Sequence, residues 1–226
     1  MIPYKDVNPT RTFPFVTVLF IGINLAVFLY ELMYPYGMDR LVLNYGAIPA
    51  NVLSLQNNQP IAPITSIFTS MFMHGNFLHI GGNMLYLWIF GNNIEDRLGH
   101  LRFVIFYLLC GVAAVYAHSL SDPSSMMPMI GASGAVSGVL GAYLLLFPRA
   151  QVYTLLFLGF FIQVVRLPAL IVIGFWAIIQ LVSGFASRTA AGGGIAFFAH
   201  VGGFVFGLAM IKIFLIGKRR RPERWL

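Results

Sequence analysis

Apolar residues fall in six runs, separated by polar and turn-forming stretches: Phe13–Tyr30, Phe77–Phe90, Leu101–Ala117, Ala132–Phe147, Leu167–Val182 and Phe197–Leu215. A helix rises about 1.5 Å per residue and must cross about 30 Å of hydrocarbon. Several runs are short for that distance, so flanking residues must extend them. The pattern predicts an all-α integral membrane protein of six transmembrane helices, with one membrane domain over residues 13–217. Residues 1–12 and 218–226 then read as an N-terminal and a basic C-terminal tail. Lys5 and Arg11 precede the first run, but no small-residue cleavage site follows it. The run is therefore expected to stay as an anchor and not to be removed as a signal peptide.

Two stretches between the runs need separate readings. Val152–Val165 is apolar and lies between Arg149 and Arg166. As a helix it would be only about 21 Å long. Gly159, Pro168 and several β-branched residues break any continuous span, so it is expected to be interfacial or shallowly re-entrant on the cytoplasmic face. The stretch from Tyr34 to about Ser70 is mildly apolar and contains Pro35, Pro49, Pro60 and Pro63. It is expected to pack on or into the outer leaflet.

Composition narrows the class. Of 226 residues, 58% are hydrophobic and only 9% charged. A soluble domain carries about 25% charged residues, so a water-facing globular surface, a disordered chain and a coiled coil are all excluded. The single cysteine, Cys110, rules out an intrachain disulfide and a Cys-rich metal or redox centre. The net charge of +7 would suggest nucleic acid in a soluble protein. Here the positions of the charges matter more. With six spans and a cytoplasmic N-terminus, every Lys and Arg except Arg40 and Arg188 falls on or snorkels to the cytoplasmic side. The Lys218–Arg224 cluster then reads as a topology anchor touching anionic membrane lipid, not as a nucleic-acid site. Both termini are expected in the cytoplasm, and the short tails suit a bacterial cell (inner) membrane.

Polar side chains at bilayer depth are costly and so are functional candidates. Those of note are His74, His79 and Asn83 in the second run, Ser133 in the fourth and His200 in the sixth. Counted from the cytoplasmic ends of their helices, Asn83 lies about 18 Å deep, Ser133 and His79 about 24 Å, and His200 about 27 Å. They converge on one level. His79 and Asn83 are four residues apart and share a helix face, while His74 falls off that face, at a helix start or loop beside the site. A neutral histidine can take the proton of a serine hydroxyl and make it a nucleophile. The resulting oxyanion needs donors, for which the Ser133 amide at a helix N-terminus is suited. All seven acidic residues lie near run ends or in loops, so a Ser133–His200 dyad is the economical arrangement. No bulk flanks the serine in Gly131-Ala132-Ser133-Gly134. Gly134, Gly138 and Ala142 recur every four residues, and Gly203 and Gly207 follow His200 at three and seven. Such small-residue faces let two membrane helices approach closely. His74 and His79 lack the spacing and the adjacent glutamate of a zinc peptidase, so neither metal nor cofactor is expected. A solute transporter is disfavoured by the absence of an inverted repeat or an intramembrane charge pair.

These residues resemble the rhomboid family of intramembrane serine proteases. The likeness runs from about Phe13 to Gly217. It rests on His74-x4-His79-x3-Asn83, Glu95-Asp96-Arg97-Leu98-Gly99, Gly131-Ala132-Ser133-Gly134 and Ala199-His200-Val201-Gly202-Gly203-x3-Gly207. The resemblance implies a six-helix rhomboid-like bundle that hydrolyses peptide bonds in or beside transmembrane segments of other membrane proteins. It implies Ser133 as nucleophile, His200 as general base, and His79, Asn83 and the Ser133 amide as the oxyanion hole, with His74 beside it. It also implies lateral substrate entry near the fifth helix and a mobile cap at Gly184–Gly194. The alternative is a proteolytically inactive rhomboid-like protein that binds or chaperones membrane proteins. Two family features differ. No Trp-Arg pair occurs in the first outer loop, and Ser137 stands where some members carry a tyrosine against the catalytic histidine. Phe197 or Phe198 is then expected to hold the ring of His200.

Overall fold

The computed structural model describes residues 1–56, 58–159, 161–187 and 196–218. The chain opens with strand β1 (Ile2–Asp6) and enters the long helix α1 (Phe15–Met33). Three short helices follow: α2 (Met38–Tyr45), α3 (Pro49–Ser54) and α4 (Pro63–Ser70). Next come α5 (Phe77–Tyr86), a π-helical turn (Leu87–Gly91) and α6 (Asn92–Leu98), which run on from one another, and then α7 (His100–Ser121) and α8 (Ser133–Leu146). Strands β2 (Gln151–Leu158) and β3 (Phe161–Pro168) lead into α9 (Ala169–Ser187) and α10 (Phe197–Phe214). Among the described residues four helices, α1, α7, α9 and α10, are long and apolar enough to cross a membrane, and α8 is a shorter apolar helix. The expected cap at Gly184–Gly194 lies largely outside the described residues, as does the basic tail beyond Lys218.

The protein is mostly helical but not all-α. The segment expected to be interfacial or shallowly re-entrant is a β-hairpin: β2 pairs antiparallel with β3 from Gln151–Pro168 to Leu158–Phe161, and β1 adds on the other side of β2. The reason is local. Valine, threonine, tyrosine and phenylalanine suit an extended backbone, and Gly159 takes a left-handed φ of +62° at the turn. A hairpin also satisfies the backbone amides that a broken helix would leave bare. The N-terminal residues, expected as a tail, therefore contain a strand.

The stretch 34–70 is folded onto the bundle. Pro49 and Pro63 sit in the first turns of α3 and α4, where a missing N–H costs nothing. Ala47, Val52, Ile67 and Val115 of α7 form a small buried cluster there, and Ala47 bridges to Met129.

Two packing devices fix the main bundle. The first is ionic. Helix α1 has no capping side chain of its own. Glu95 of α6 takes that role, accepting from the Val16 and Thr17 amides at 2.8 Å and from the Thr17 hydroxyl at 2.7 Å. Asp96 accepts from the Arg11 and Thr12 amides and the Thr12 hydroxyl. Carboxylates at a helix N-terminus satisfy its free amides and complement its dipole. The second device is steric. A Cβ added at Gly203 or Gly207 of α10 would overlap the carbonyl oxygen of Gly134 or Gly138 of α8, and one at Gly141 would overlap that of Phe204. Backbone therefore rests on backbone where α8 and α10 cross. Helix α9 differs: Leu170, Ile171, Phe175, Ile178 and Val182 on it are all exposed.

Candidate active site

Ser133 begins α8. The residues before it are pinned from below, because the Gly131 amide donates to the Ser70 carbonyl at 2.8 Å and Met129 and Ala47 exchange backbone hydrogen bonds. Gly131 has a φ of +127°, a region that L side chains rarely adopt. The serine side chain thus stands at a helix N-terminus, where first-turn amides lack intrahelical partners.

His200 lies in the first turn of α10, and the glycine contacts described above bring that turn against α8. Its Nε2 lies 2.8 Å from the Ser133 hydroxyl oxygen. On the other side of the ring, Nδ1 lies 2.6 Å from Oε1 of Gln180 on α9. An amide oxygen only accepts, so this contact suits the tautomer with its proton on Nδ1, which leaves Nε2 as the acceptor facing the serine. The ring packs between Trp176 at 6.2 Å and Phe197, edge-on, at 6.3 Å between centroids. Phe198 packs on Phe185 instead. Ser137 does not reach the imidazole; its hydroxyl donates back to the Ser133 carbonyl.

His79 and Asn83 project from α5 toward the same point. Asn76 caps that helix, its side chain accepting from the His79 amide at 2.8 Å. A Cβ built on Gly131 would lie 2.7 Å from Nε2 of His79 and 3.4 Å from the Ser133 hydroxyl. The bare glycine therefore leaves an atom-sized space between those two groups. The Asn83 amide nitrogen is buried and has no partner among the described residues. His74 precedes α5 and is fully buried, with both ring nitrogens unpartnered among the described residues. Its ring packs edge-on against His79 at 5.0 Å, so it is one ring removed from the serine. Its amide donates to the carboxylate of Glu31 on α1 at 3.1 and 3.2 Å.

A cavity of about 490 Å³ opens over these groups. Ser133, His200, His79, Asn83, Gln180 and Trp176 line it. The structure thus gathers Ser133, His200, His79 and Asn83 at one place, with Gly131 between them. Gly134, Gly138, Gly203 and Gly207 lie at the helix crossing and not in the cavity lining. Sequence reasoning passed over Gln180, Trp176 and the burial of Glu31. Gln180 carried a usable signal, since it is an amide within an apolar run, the same criterion that singled out Asn83.

The architecture is that of a mostly helical membrane protein with a cavity among its helices that carries several polar side chains on a largely apolar lining. The rhomboid domain model matches residues 62–217, more than half of the chain, and the chain belongs to the rhomboid family. Among its relatives, Rhomboid protein 1, mitochondrial, of Saccharomyces cerevisiae is 34% identical over 141 residues, covering 61% of this chain and 38% of that protein. Rhomboid protease GluP of Bacillus subtilis is 30% identical over 161 residues, covering 68% of this chain and 28% of the relative. Rhomboid protease AarA of Providencia stuartii is 28% identical over 141 residues, covering 56% and 48%. The matches therefore span less than half the length of these relatives.

Proposed function

We propose that the chain is an intramembrane serine endopeptidase that hydrolyses peptide bonds in or next to transmembrane segments of other membrane proteins. The observation that carries this reading is the 2.8 Å contact between the Ser133 hydroxyl and an acceptor nitrogen of His200 inside the cavity. Ser133 Oγ attacks the scissile carbonyl carbon as His200 Nε2 takes its proton. The carbonyl oxygen becomes an oxyanion in the space beside Gly131, where His79, Asn83 and the Ser133 amide donate to it. His200 then passes its proton to the leaving amine, and the C–N bond breaks. Water attacks the acyl-serine ester with His200 again as base, releasing the new carboxyl end and restoring the serine hydroxyl.

The same reading takes α1, α5–α6, α7, α8, α9 and α10 as six spans, with both termini cytoplasmic in a cell (inner) membrane. The Lys and Arg distribution supports that orientation. Its partners on this reading are transmembrane protein substrates and the surrounding membrane lipid, and nucleic acid has no part in it.

The test uses the full chain in liposomes. A fluorophosphonate probe labels Ser133 in the native chain and loses that labelling in Ser133→Ala and His200→Ala. A panel of tagged single-span proteins is cleaved by the native chain alone. Labelling that persists in Ser133→Ala, or equal cleavage by His200→Ala, refutes the assignment. With chemistry rate-limiting, cleavage falls as pH is lowered, because a protonated imidazole cannot accept the serine proton.

A further inference from the structure

A dyad leaves one nitrogen of His200 without a role. We propose that Gln180 is the positioning residue of the site: its side-chain oxygen holds the Nδ1 proton of His200 and so presents Nε2, lone pair first, to Ser133. This inference rests on the dyad reading above.

The geometry supports it from three sides. First, the 2.6 Å separation joins Oε1 to Nδ1 while Nε2 faces the serine at 2.8 Å, so the two ring nitrogens are engaged in opposite directions. A neutral imidazole has one donor and one acceptor nitrogen, and the partner of one decides the state of the other. Second, Gln180 does not act alone on the ring. Trp176 lies four residues earlier on α9, on the same helix face, and packs on the same imidazole. One face of α9 thus supplies both a polar and an apolar stop, and Phe197 closes the ring from α10. Third, the hydrogen bond gains strength during the reaction. When Nε2 takes the serine proton the ring becomes a cation, and Nδ1–H···O becomes a charge-assisted bond. A contact that strengthens along the reaction coordinate raises the rate of the chemical step, not substrate affinity. The opposite amide orientation would place a donor against Nδ1, put the ring proton on Nε2 and leave the serine without a base.

The test compares Gln180→Leu and Gln180→Glu with the native full chain in liposomes on a single-span fluorogenic reporter. Gln180→Leu is expected to lower kcat by about tenfold or more while KM and melting temperature stay near native values. Gln180→Glu keeps the acceptor and places a negative charge beside the ring, which favours its protonated form. Its acid limb is therefore expected to move to higher pH, with native-like kcat recovered on the alkaline side. A purely structural glutamine would lower both variants alike and leave the limb in place. Native kcat in Gln180→Leu, or an unmoved limb in Gln180→Glu, overturns the proposal. A second readout does not depend on proteolysis. Histidine-selective 15N spectra of Ser133→Ala are expected to show His200 with a protonated Nδ1 and a bare Nε2, and to lose that preference in the Gln180→Leu background. The reverse tautomer overturns the proposal even if the protein cleaves. A native chain that neither cleaves nor takes the fluorophosphonate, yet shows the Nδ1–H tautomer, refutes the dyad and leaves the Gln180 contact standing.

Discussion

At the sheet end of the bundle, Glu95 and Asp96 each accept two backbone amides and a threonine hydroxyl from α1 and the residues leading into it. At the cavity end, the Asn83 amide nitrogen and both ring nitrogens of His74 have no partner among the described residues. Both ends bury polar groups; they differ in whether those groups find partners among the described residues. An unmet buried donor costs about 1–3 kcal/mol. Under the proposed function, the Asn83 amide nitrogen, without a partner among the described residues, is the donor that a developing oxyanion would meet.

The strongest way to break the comparison is to remove a satisfied group. Glu95→Ala strips the cap from α1 and leaves the Val16 and Thr17 amides and the Thr17 hydroxyl unmet, at about 1–3 kcal/mol per buried donor, read as a large drop in melting temperature in detergent. If the melting temperature holds, the capping carboxylate is not what secures α1. Asn83→Ala tests the opposite end. Cleavage is expected to slow by about 10²–10³-fold with stability unchanged or slightly raised, since the lost amide nitrogen has no partner among the described residues. A loss of stability equal to that of Glu95→Ala would erase the distinction between the ends. Between them lies the α8–α10 crossing. Gly203→Val pushes a side chain into the Gly134 carbonyl, and about 1–3 kcal/mol of destabilisation is expected, together with reduced fluorophosphonate labelling as His200 moves away from Ser133.

The smallest effect concerns Asp6, at the sheet end and outside the spans. It accepts from the Tyr143 hydroxyl at 2.7 Å and from the Asn93 amide at 2.9 Å. Burial pushes its carboxyl up to about 6 from the usual 3.8, against the opposing pull of these hydrogen bonds. The folded form therefore holds its proton more tightly than the unfolded chain does. This contribution is fully present below pH 3.8 and is lost as pH rises through about 6. Because Asp6 is partly exposed, about 1 kcal/mol is expected. Melting curves of Asp6→Asn should lack this slope between pH 4 and 7. Acidification is thus expected to favour the fold through Asp6 and, on the proposed dyad, to slow cleavage through His200, so that stability and activity part company in the same titration.

Hydropathy made the helical runs legible because burial in lipid acts on every residue of a span. The cavity residues were legible because a polar group inside such a run stands out against its neighbours, and because four-residue spacing places His79 and Asn83 on one face. The sheet was not. Short apolar stretches carry no period that separates strand from helix, and β1 lies some 150 residues from the strand it joins. Gln180 is a case between these. Its polarity was visible, but its importance depends on a contact with a helix 20 positions on, which no local pattern encodes. Glu31 looked like a span-end residue, and only the fold shows it 1% exposed under His74.

The carboxylates on α6 also bear on how the chain is made. Val16 and Thr17 find their acceptor in Glu95, 79 and 78 positions later in the sequence. At a synthesis rate of about 5–20 residues per second, the ribosome needs roughly 4–16 s to deliver that acceptor after α1 has emerged. Through that interval the first helix must rest in the insertion machinery or at the lipid surface with its leading amides bare. A nascent chain stalled before Glu95 would hold α1 complete in length but would lack the clasp altogether.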